Sequence, residues 1–506
     1  MISFRSSQKP KVLIVTPEIT YLPEGMGNMS NKLRAKAGGL ADVSASLVAA
    51  LYRQGADVHV ALPHYRRMFH IDVGKLITNE LRVYISHLSN SRVHLAEDRV
   101  FYYRDSVYSN QADDSVKLAL AFQREVINNI IPHVNPDLIH CNDWMTGLIP
   151  ARARRLGIPC LFTVHNIHTQ KASLEYIEDR GIDAAEFWDQ LFYEYPPQNY
   201  ESARSNDRVD FLASGIFASH FINTVSPTFL KEICNGWHDF IPGNIRYEIR
   251  RKFEAGCAAG ILNAPDETCD PEIDDMLAVK FGPDNNPMEA KQKNKLWFQH
   301  KVGLTEDADA PIFFWPSRLD PIQKGCQLLT EILYKVVNRY WKQNLQIAII
   351  ANGSFQKYFH QIVQMHDLFG RVAVCDFDEA LSHMGYAASD FMLMPSRFEP
   401  CGLPQMTSPL YGSLPVVTDT GGLHDTVSPL DIEHNTGNGF VFETYDSNGL
   451  LWAMDQAMAF YAQPPAVKER QIIRIMKDAK SRFNHEVTAS KYIDIYESML
   501  QRPLVV

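Results

Sequence analysis

Four short segments hold residues whose types and spacing suit chemistry. The first, Lys36-Ala37-Gly38-Gly39-Leu40-Ala41-Asp42, opens a helical pattern. Two glycines at a helix N-terminus leave backbone N–H groups bare and outward, as a phosphate requires, and Lys36 adds a full positive charge. A helix capped by a Gly-rich turn reads the same way. The second, PSRLDPIQKG (316–325), puts Arg318 and Lys324 just past the apolar run FFW. Arginine as a planar fork and lysine as a point charge can together clamp a diphosphate, whereas singly each is an ordinary solvated charge. The third, PSRFEPCGLPQ (395–405), places Glu399 near Gly402. A carboxylate there can accept hydrogen bonds from sugar hydroxyls and stabilise positive charge growing on a ring. Capping of the next helix is the plainer role, but the string is more particular than a cap needs. The fourth is split between HCNDW (140–144) and TVHNIH (163–168), from which Asp143 and His165 can point into one cleft. A lone histidine is more often a satisfied core residue. His165 and His168 have no third ligand nearby in sequence, so no metal is expected. Asp307-Ala308-Asp309 precedes an apolar run, at the wrong edge for catalysis.

Such residues need elements that hold them at strand ends. Apolar runs at 11–16, 57–63, 137–143 and 159–166 alternate with helical patterns such as 39–53, and 212–225 reads as a helix running into a strand. The rhythm resumes with runs at 311–319, 345–353, 372–377, 391–396, 414–420 and 439–443. Repeated βα units mean open parallel sheets with helices on both faces, and ligands of such sheets sit at the carboxyl ends of the strands. The expectation is an α/β chain of two Rossmann-like parallel-sheet domains facing a deep cleft. The stretch 240–300, rich in Pro, Gly, Asn and Asp, is the candidate boundary. At 488–500 an amphipathic pattern aligns Tyr492, Tyr496, Met499 and Leu500 on one stripe, which reads as core packing.

The 506 residues are 45% hydrophobic and 21% charged, enough apolar material for large cores. A net charge of −10 argues against nucleic acid or an anionic membrane as main partner. The start, MISFRSSQKPKVLIVTPE, lacks the apolar core and cleavage site of a secretory signal, so the chain reads as cytoplasmic. Eight scattered cysteines without a CxxC pair read as reduced thiols.

The strings KAGGLADV, HCNDW, TVHNI, TVSPT, GILN, PSRLDPIQKG, SRFEPCGLPQ and TGGLHDTV occur in an order that resembles the bacterial glycogen synthases and plant starch synthases, from Lys11 to about Tyr496. The resemblance implies the GT-B fold: an N-terminal domain over 1–260, a nucleotide-sugar-binding domain over 261–484, and a C-terminal helix over 485–506 returning to the first domain. It implies a retaining glucosyltransferase that extends an α-1,4-glucan from ADP-glucose without a metal or other cofactor. Carried over, Lys36, Gly38 and Gly39 meet the donor phosphates and Arg318 and Lys324 clamp the diphosphate. Phe377 lies against the adenine, and Glu399 serves the glucosyl unit within a loop lined by Cys401, Gly402 and Leu403. Asp143 and His165 lie near the transferred glucose.

Four departures from the family pattern stand out. Residues 20–35 intervene before KAGGL and carry Gly25, Gly27, Lys32 and Arg34, which suits a lid or an acceptor contact at the mouth of the cleft. Arg318 to Lys324 is one residue longer than usual. Pro404 and Pro409 fall in what is normally a cleaner helix. Asp376 stands beside Phe377 where the family commonly has Gly. UDP-glucose or a small sugar acceptor is the second reading, and an inactive glucan-binding scaffold the third. Oligomeric state is not encoded in any of these signals.

Overall fold

The computed structural model describes residues 9–26, 33–37, 39–69, 92–109 and 111–505. The chain divides into two compact units. One comprises Met1–Val225, Leu230–Ile261 and His485–Val506, the other Ser226–Phe229 and Leu262–Asn484.

The first unit is built on a seven-stranded parallel sheet. Its strands are β1 (Lys11–Val15), β2 (Asp57–Pro63), β3 (Val93–Ala96), β4 (Leu138–Asn142), β5 (Cys160–Val164), β8 (Phe221–Thr224) and β9 (Ala258–Gly260), in the order β3-β2-β1-β4-β5-β8-β9. A small antiparallel pair, β6 (Lys171–Ser173) and β7 (Arg208–Asp210), stands apart. Both faces of the large sheet are covered, so β4 and β5 are buried at every position and read as unbroken runs rather than alternations. The order reverses between β1 and β4, which pair directly, with Val12 opposite Leu138. That is the topological switch point, where parallel sheets leave a crevice beyond the strand ends.

The second unit repeats the plan with six strands. They are β10 (Ile312–Trp315), β11 (Gln346–Ile350), β12 (Val372–Cys375), β13 (Phe391–Met394), β14 (Leu414–Thr418) and β15 (Phe440–Phe442), ordered β12-β11-β10-β13-β14-β15. Its switch point lies between β10 and β13. The strands stop where the backbone can no longer pair: Pro316 follows Trp315 and Pro395 follows Met394.

The chain passes from the first unit to the second between Ile261 and Leu262, inside the 240–300 stretch, which also holds the helices Gly243–Glu254 and Pro287–Val302 as well as β9. Other features differ from the sequence expectation. The three- and four-residue strands β3, β6, β7 and β9 are too short to register as apolar periods. Pro404 starts its helix, at a position whose N–H needs no partner, and Pro409 falls near the end of the seven-residue helix Pro404–Leu410. The buried stripe of the final helix, His485–Leu500, is His485, Thr488, Ala489, Tyr492, Ile493 and Tyr496, while Met499 and Leu500 are only partly covered.

That stripe is not plain apolar packing. His140 on β4 takes one hydrogen bond from Tyr496 Oη at its Nδ1 (2.7 Å) and donates another from Nε2 to Thr163 Oγ1 (2.6 Å). The Thr163 hydroxyl donates to Asn223 Oδ1 (2.5 Å), and Asn223 Nδ2 donates to Tyr492 Oη (2.9 Å). Because Asn223 Oδ1 can only accept, the threonine proton points to it, which fixes the His140 proton on Nε2. Burial holds this imidazole neutral, lowered to about 3. A satisfied polar chain across β4, β5 and β8 thus fastens the last helix to the first unit.

Candidate active site

The loop after β1 carries the first cluster. Glu18 is almost fully buried and accepts the Ala37 backbone N–H at Oε2 (2.7 Å) and the Tyr108 hydroxyl at Oε1 (3.0 Å). It thereby ties down the segment just before the helix Gly39–Arg53. Lys36, in that segment, is half-exposed and paired with Asp42 in the first turn of the same helix (2.9 Å). Gly39 is exposed at the helix start, whereas Gly38 lies outside the described residues. The intervening segment 20–35 is pinched at its base by reciprocal backbone hydrogen bonds between Ile19 and Ala35 (2.9 and 2.8 Å). Of its noted residues, Gly25 and Arg34 are described, while Gly27 and Lys32 lie outside the described residues.

Across the switch point, after β4, stands Asp143. Its backbone sits at φ 55°, ψ −179°, a region that essentially only glycine populates without strain. The surroundings over-determine it. Oδ1 accepts the His165 backbone N–H (2.8 Å) and Oδ2 accepts Asn166 Nδ2 (3.0 Å). Burial pushes its carboxyl up to about 7, the two N–H donors oppose the shift, and the Glu18 charge adds to it. His165 meets Asn142 Oδ1 through Nε2 (3.0 Å), and Asn142 Nδ2 is already committed to Val15 O (3.1 Å). The acceptor oxygen therefore fixes the imidazole proton on Nε2 and leaves Nδ1 as the free base. Burial lowers this imidazole to about 3, so it is neutral. The structure thus brings Asp143 and His165 together.

In the second unit, the loops after β10 and β13 meet. Lys324 Nζ lies 2.5 Å from Glu399 Oε2, with the two side chains 12% and 6% exposed. Ser396 Oγ donates to the same oxygen (3.1 Å). The Arg397 N–H donates to Gln323 O (2.8 Å), which laces the loops together. Gly325, at φ +72°, fits because a Cβ there would stand 2.0 Å from Pro395 O. Glu399 O accepts the Gly422 N–H (2.9 Å), and a Cβ on Gly422 would stand 1.9 Å from Cys401 O. The TGGLHD string therefore makes room for the EPCGL loop. Arg318 is exposed, and its guanidinium has no hydrogen-bond or ion-pair partner among the described residues. Cys401 is buried and its thiol is pushed up to about 12 by that burial, so it packs and does not ionise; Gly402, at φ +74°, and Leu403 follow it.

Phe377, 55% exposed, lies after β12 on the same edge. Its N–H donates to Asn352 Oδ1 (2.9 Å), and Gln356 Nε2 donates to Asp376 Oδ1 (3.0 Å).

Sequence reasoning passed over Glu18, Tyr108, Asn142 and Asn166. A legible signal existed for Glu18: a carboxylate three residues past β1, at the switch point. No group of three or more His, Cys, Asp or Glu that could hold a metal occurs among the described residues. Among them, no helix is long and apolar enough to cross a membrane.

The starch synthase catalytic domain family matches residues 11–241, and glycosyl transferases group 1 matches 310–459. The chain is 31% identical to the glycogen synthase of Syntrophotalea carbinolica, across 92% of this chain and 96% of that one. It is 30% identical to the glycogen synthase of Bacillus subtilis (92% and 95%) and 31% identical to that of Moorella thermoacetica (97% and 97%). Among solved structures, the catalytic domain of starch synthase IV from Arabidopsis thaliana, bound to ADP and acarbose, is similar at a TM-score of 0.77 and 26% identity, covering 98% of this chain and all of that one. Sucrose-phosphate synthase from Thermosynechococcus elongatus shares the fold at a TM-score of 0.58 and 16% identity.

Proposed function

The chain belongs to the glycogen synthase family, and from that premise we propose that it transfers glucose from ADP-glucose to the non-reducing end of an α-1,4-glucan, with retention of configuration, in the cytoplasm. The observation that carries the reading is the switch point of the second unit, where an exposed Arg318, without a side-chain partner among the described residues, stands in the same loop as Lys324, which is paired with the buried Glu399 of the facing loop.

The chemistry follows from charge. Breaking the bond between the anomeric carbon and phosphate builds negative charge on the departing diphosphate. Arg318 offers that charge a bidentate fork and Lys324 a point charge held in place by Glu399 and the laced loops. Positive charge builds on the sugar ring, and Glu399 supplies the opposing carboxylate, in a loop shaped by Cys401, Gly402 and Leu403. The acceptor hydroxyl attacks from the face the diphosphate leaves, and the leaving phosphate takes its proton. In the first unit, Lys36 and the Gly39 backbone serve the phosphates. Asp143 and the neutral His165, with its free Nδ1, serve the transferred glucose. Phe377 offers a ring face to the adenine. No resident metal or cofactor enters this reaction.

The test is nucleotide release from ADP-glucose and, separately, UDP-glucose, each with and without glycogen. Glucan-dependent release of ADP is expected. Glucan-independent release, or none from either donor, would overturn the reading.

A further inference from the structure

Within the second unit, the edge that holds Lys324 and Glu399 continues outward along β11 and β12. In doubly wound sheets the phosphates of a nucleotide sit at the switch point and the rest extends along the strand ends. Phe377 is the large exposed aromatic at the end of β12. Two side-chain hydrogen bonds join its loop to the loop after β11: Asn352 Oδ1 accepts the Phe377 N–H (2.9 Å), and Gln356 Nε2 donates to Asp376 Oδ1 (3.0 Å). Gly353, between them, is held against the loop after β10, since a Cβ there would stand 2.6 Å from Leu319 O. Three loops are therefore tied into one platform around Phe377.

The Gln356 orientation is fixed by chemistry. Its Nε2 also lies 3.4 Å from Ala351 O, so both neighbours of that atom are acceptors. The amide therefore occupies Asp376 Oδ1, while Oδ2 has no partner among the described residues. An ionised carboxylate oxygen only accepts. Resting on the site being a nucleoside-diphosphate-glucose site, we infer that Asp376, held by Gln356, selects the base of the donor: Oδ2 accepts the exocyclic amino group of adenine, and it disfavours uracil, whose O4 presents lone pairs at the corresponding place. With one oxygen already bonded, the carboxylate has a single oxygen left to offer, which suits one amino group.

In Asp376→Asn, Gln356 still requires an acceptor, so it holds the new Oδ1 and turns the Nδ2 hydrogens toward the base. A donor then faces adenine's donor and complements uracil's O4. The measurement is kcat/KM for ADP-glucose over that for UDP-glucose, on glycogen, for the wild type, Asp376→Ala, Asp376→Asn and Gln356→Leu. Relative to wild type, the ratio should fall roughly tenfold in Asp376→Ala, as expected for one charge-assisted hydrogen bond, and further in Asp376→Asn. Gln356→Leu should give a smaller fall. The change should sit in KM, with kcat for ADP-glucose moving less than about threefold, because a base contact is made equally in ground and transition states. A ratio within twofold of wild type in both Asp376 variants overturns the inference, as does a wild type that prefers UDP-glucose while still extending glycogen. A wild type inert with both donors overturns instead the assignment of function.

Discussion

The two switch points are built by the same sheet topology and filled with opposite chemistry. At the first, between β1 and β4, two buried carboxylates face one another electrostatically. Glu18 is satisfied by an amide and a phenol, and Asp143 is held in a strained backbone with its carboxyl raised to about 7. At the second, between β10 and β13, a lysine neutralises the buried glutamate outright at 2.5 Å, and a second cation, Arg318, is left over. The first site keeps its acids by supplying N–H and O–H donors, and the second by supplying a countercharge. At the second an anion meets the positive charge of Arg318, whereas at Asp143 and His165 of the first a hydroxylated, uncharged group meets hydrogen-bonding partners. One topology thus hosts either chemistry, because the loops and not the strands carry the charge.

The contrast can be broken most forcefully at Glu399. Replacing it with Ala is expected to lower glucosyl transfer about 10²–10³-fold while far-ultraviolet circular dichroism is retained. A larger loss from Asp143→Asn would reverse the ranking of the two sites. Next comes the loop support: Gly422→Ala forces a methyl group against Cys401 O, and should cost about 1–3 kcal/mol in urea unfolding together with about tenfold in activity. Gly243→Ala, with open space around it, is the matched control and should be silent. In the first unit, Tyr496→Phe removes the donor to buried His140 Nδ1 and should cost roughly 1–3 kcal/mol in urea unfolding, with little effect on KM for the donor. Unchanged stability would mean the polar chain is not what fastens the helix.

The smallest effect is a slope. The folded-state value of Asp143, about 7, lies above its ordinary 3.8, so over that window the native protein holds a proton the unfolded chain has released. Stability must therefore fall as pH rises through that window. The melting-temperature advantage of wild type over Asp143→Asn should shrink between about pH 5 and pH 7.5. A flat difference would show that the carboxylate is already ionised and that the two sites differ less than described.

Both sheets and their long strands were legible because parallel strands covered on two faces leave unbroken apolar runs, as in LIHCN and QIAII. The loops that end those strands were legible for the same reason. Pairings across loops were not. Lys324 and Glu399 are 75 residues apart, and each by itself reads as a separate charge with a separate task. Glu18 escaped notice because its partners, Ala37 and Tyr108, carry no charge to draw the eye. The final helix was legible as amphipathic, but its tyrosines read as apolar rings, and only the fold reveals what their hydroxyls reach.

That last helix has a consequence for synthesis. The second unit is nearly continuous in sequence, Leu262–Asn484, and its main body is complete in the emerging chain before the first has all its parts. The first unit lacks Tyr492 and Tyr496 until the second unit's 262–484 has been made, and until then His140 and Asn223 face a missing partner. Although it begins first, it is the later of the two to mature, and loss of the helix His485–Leu500 is felt some 350 residues upstream, at β4.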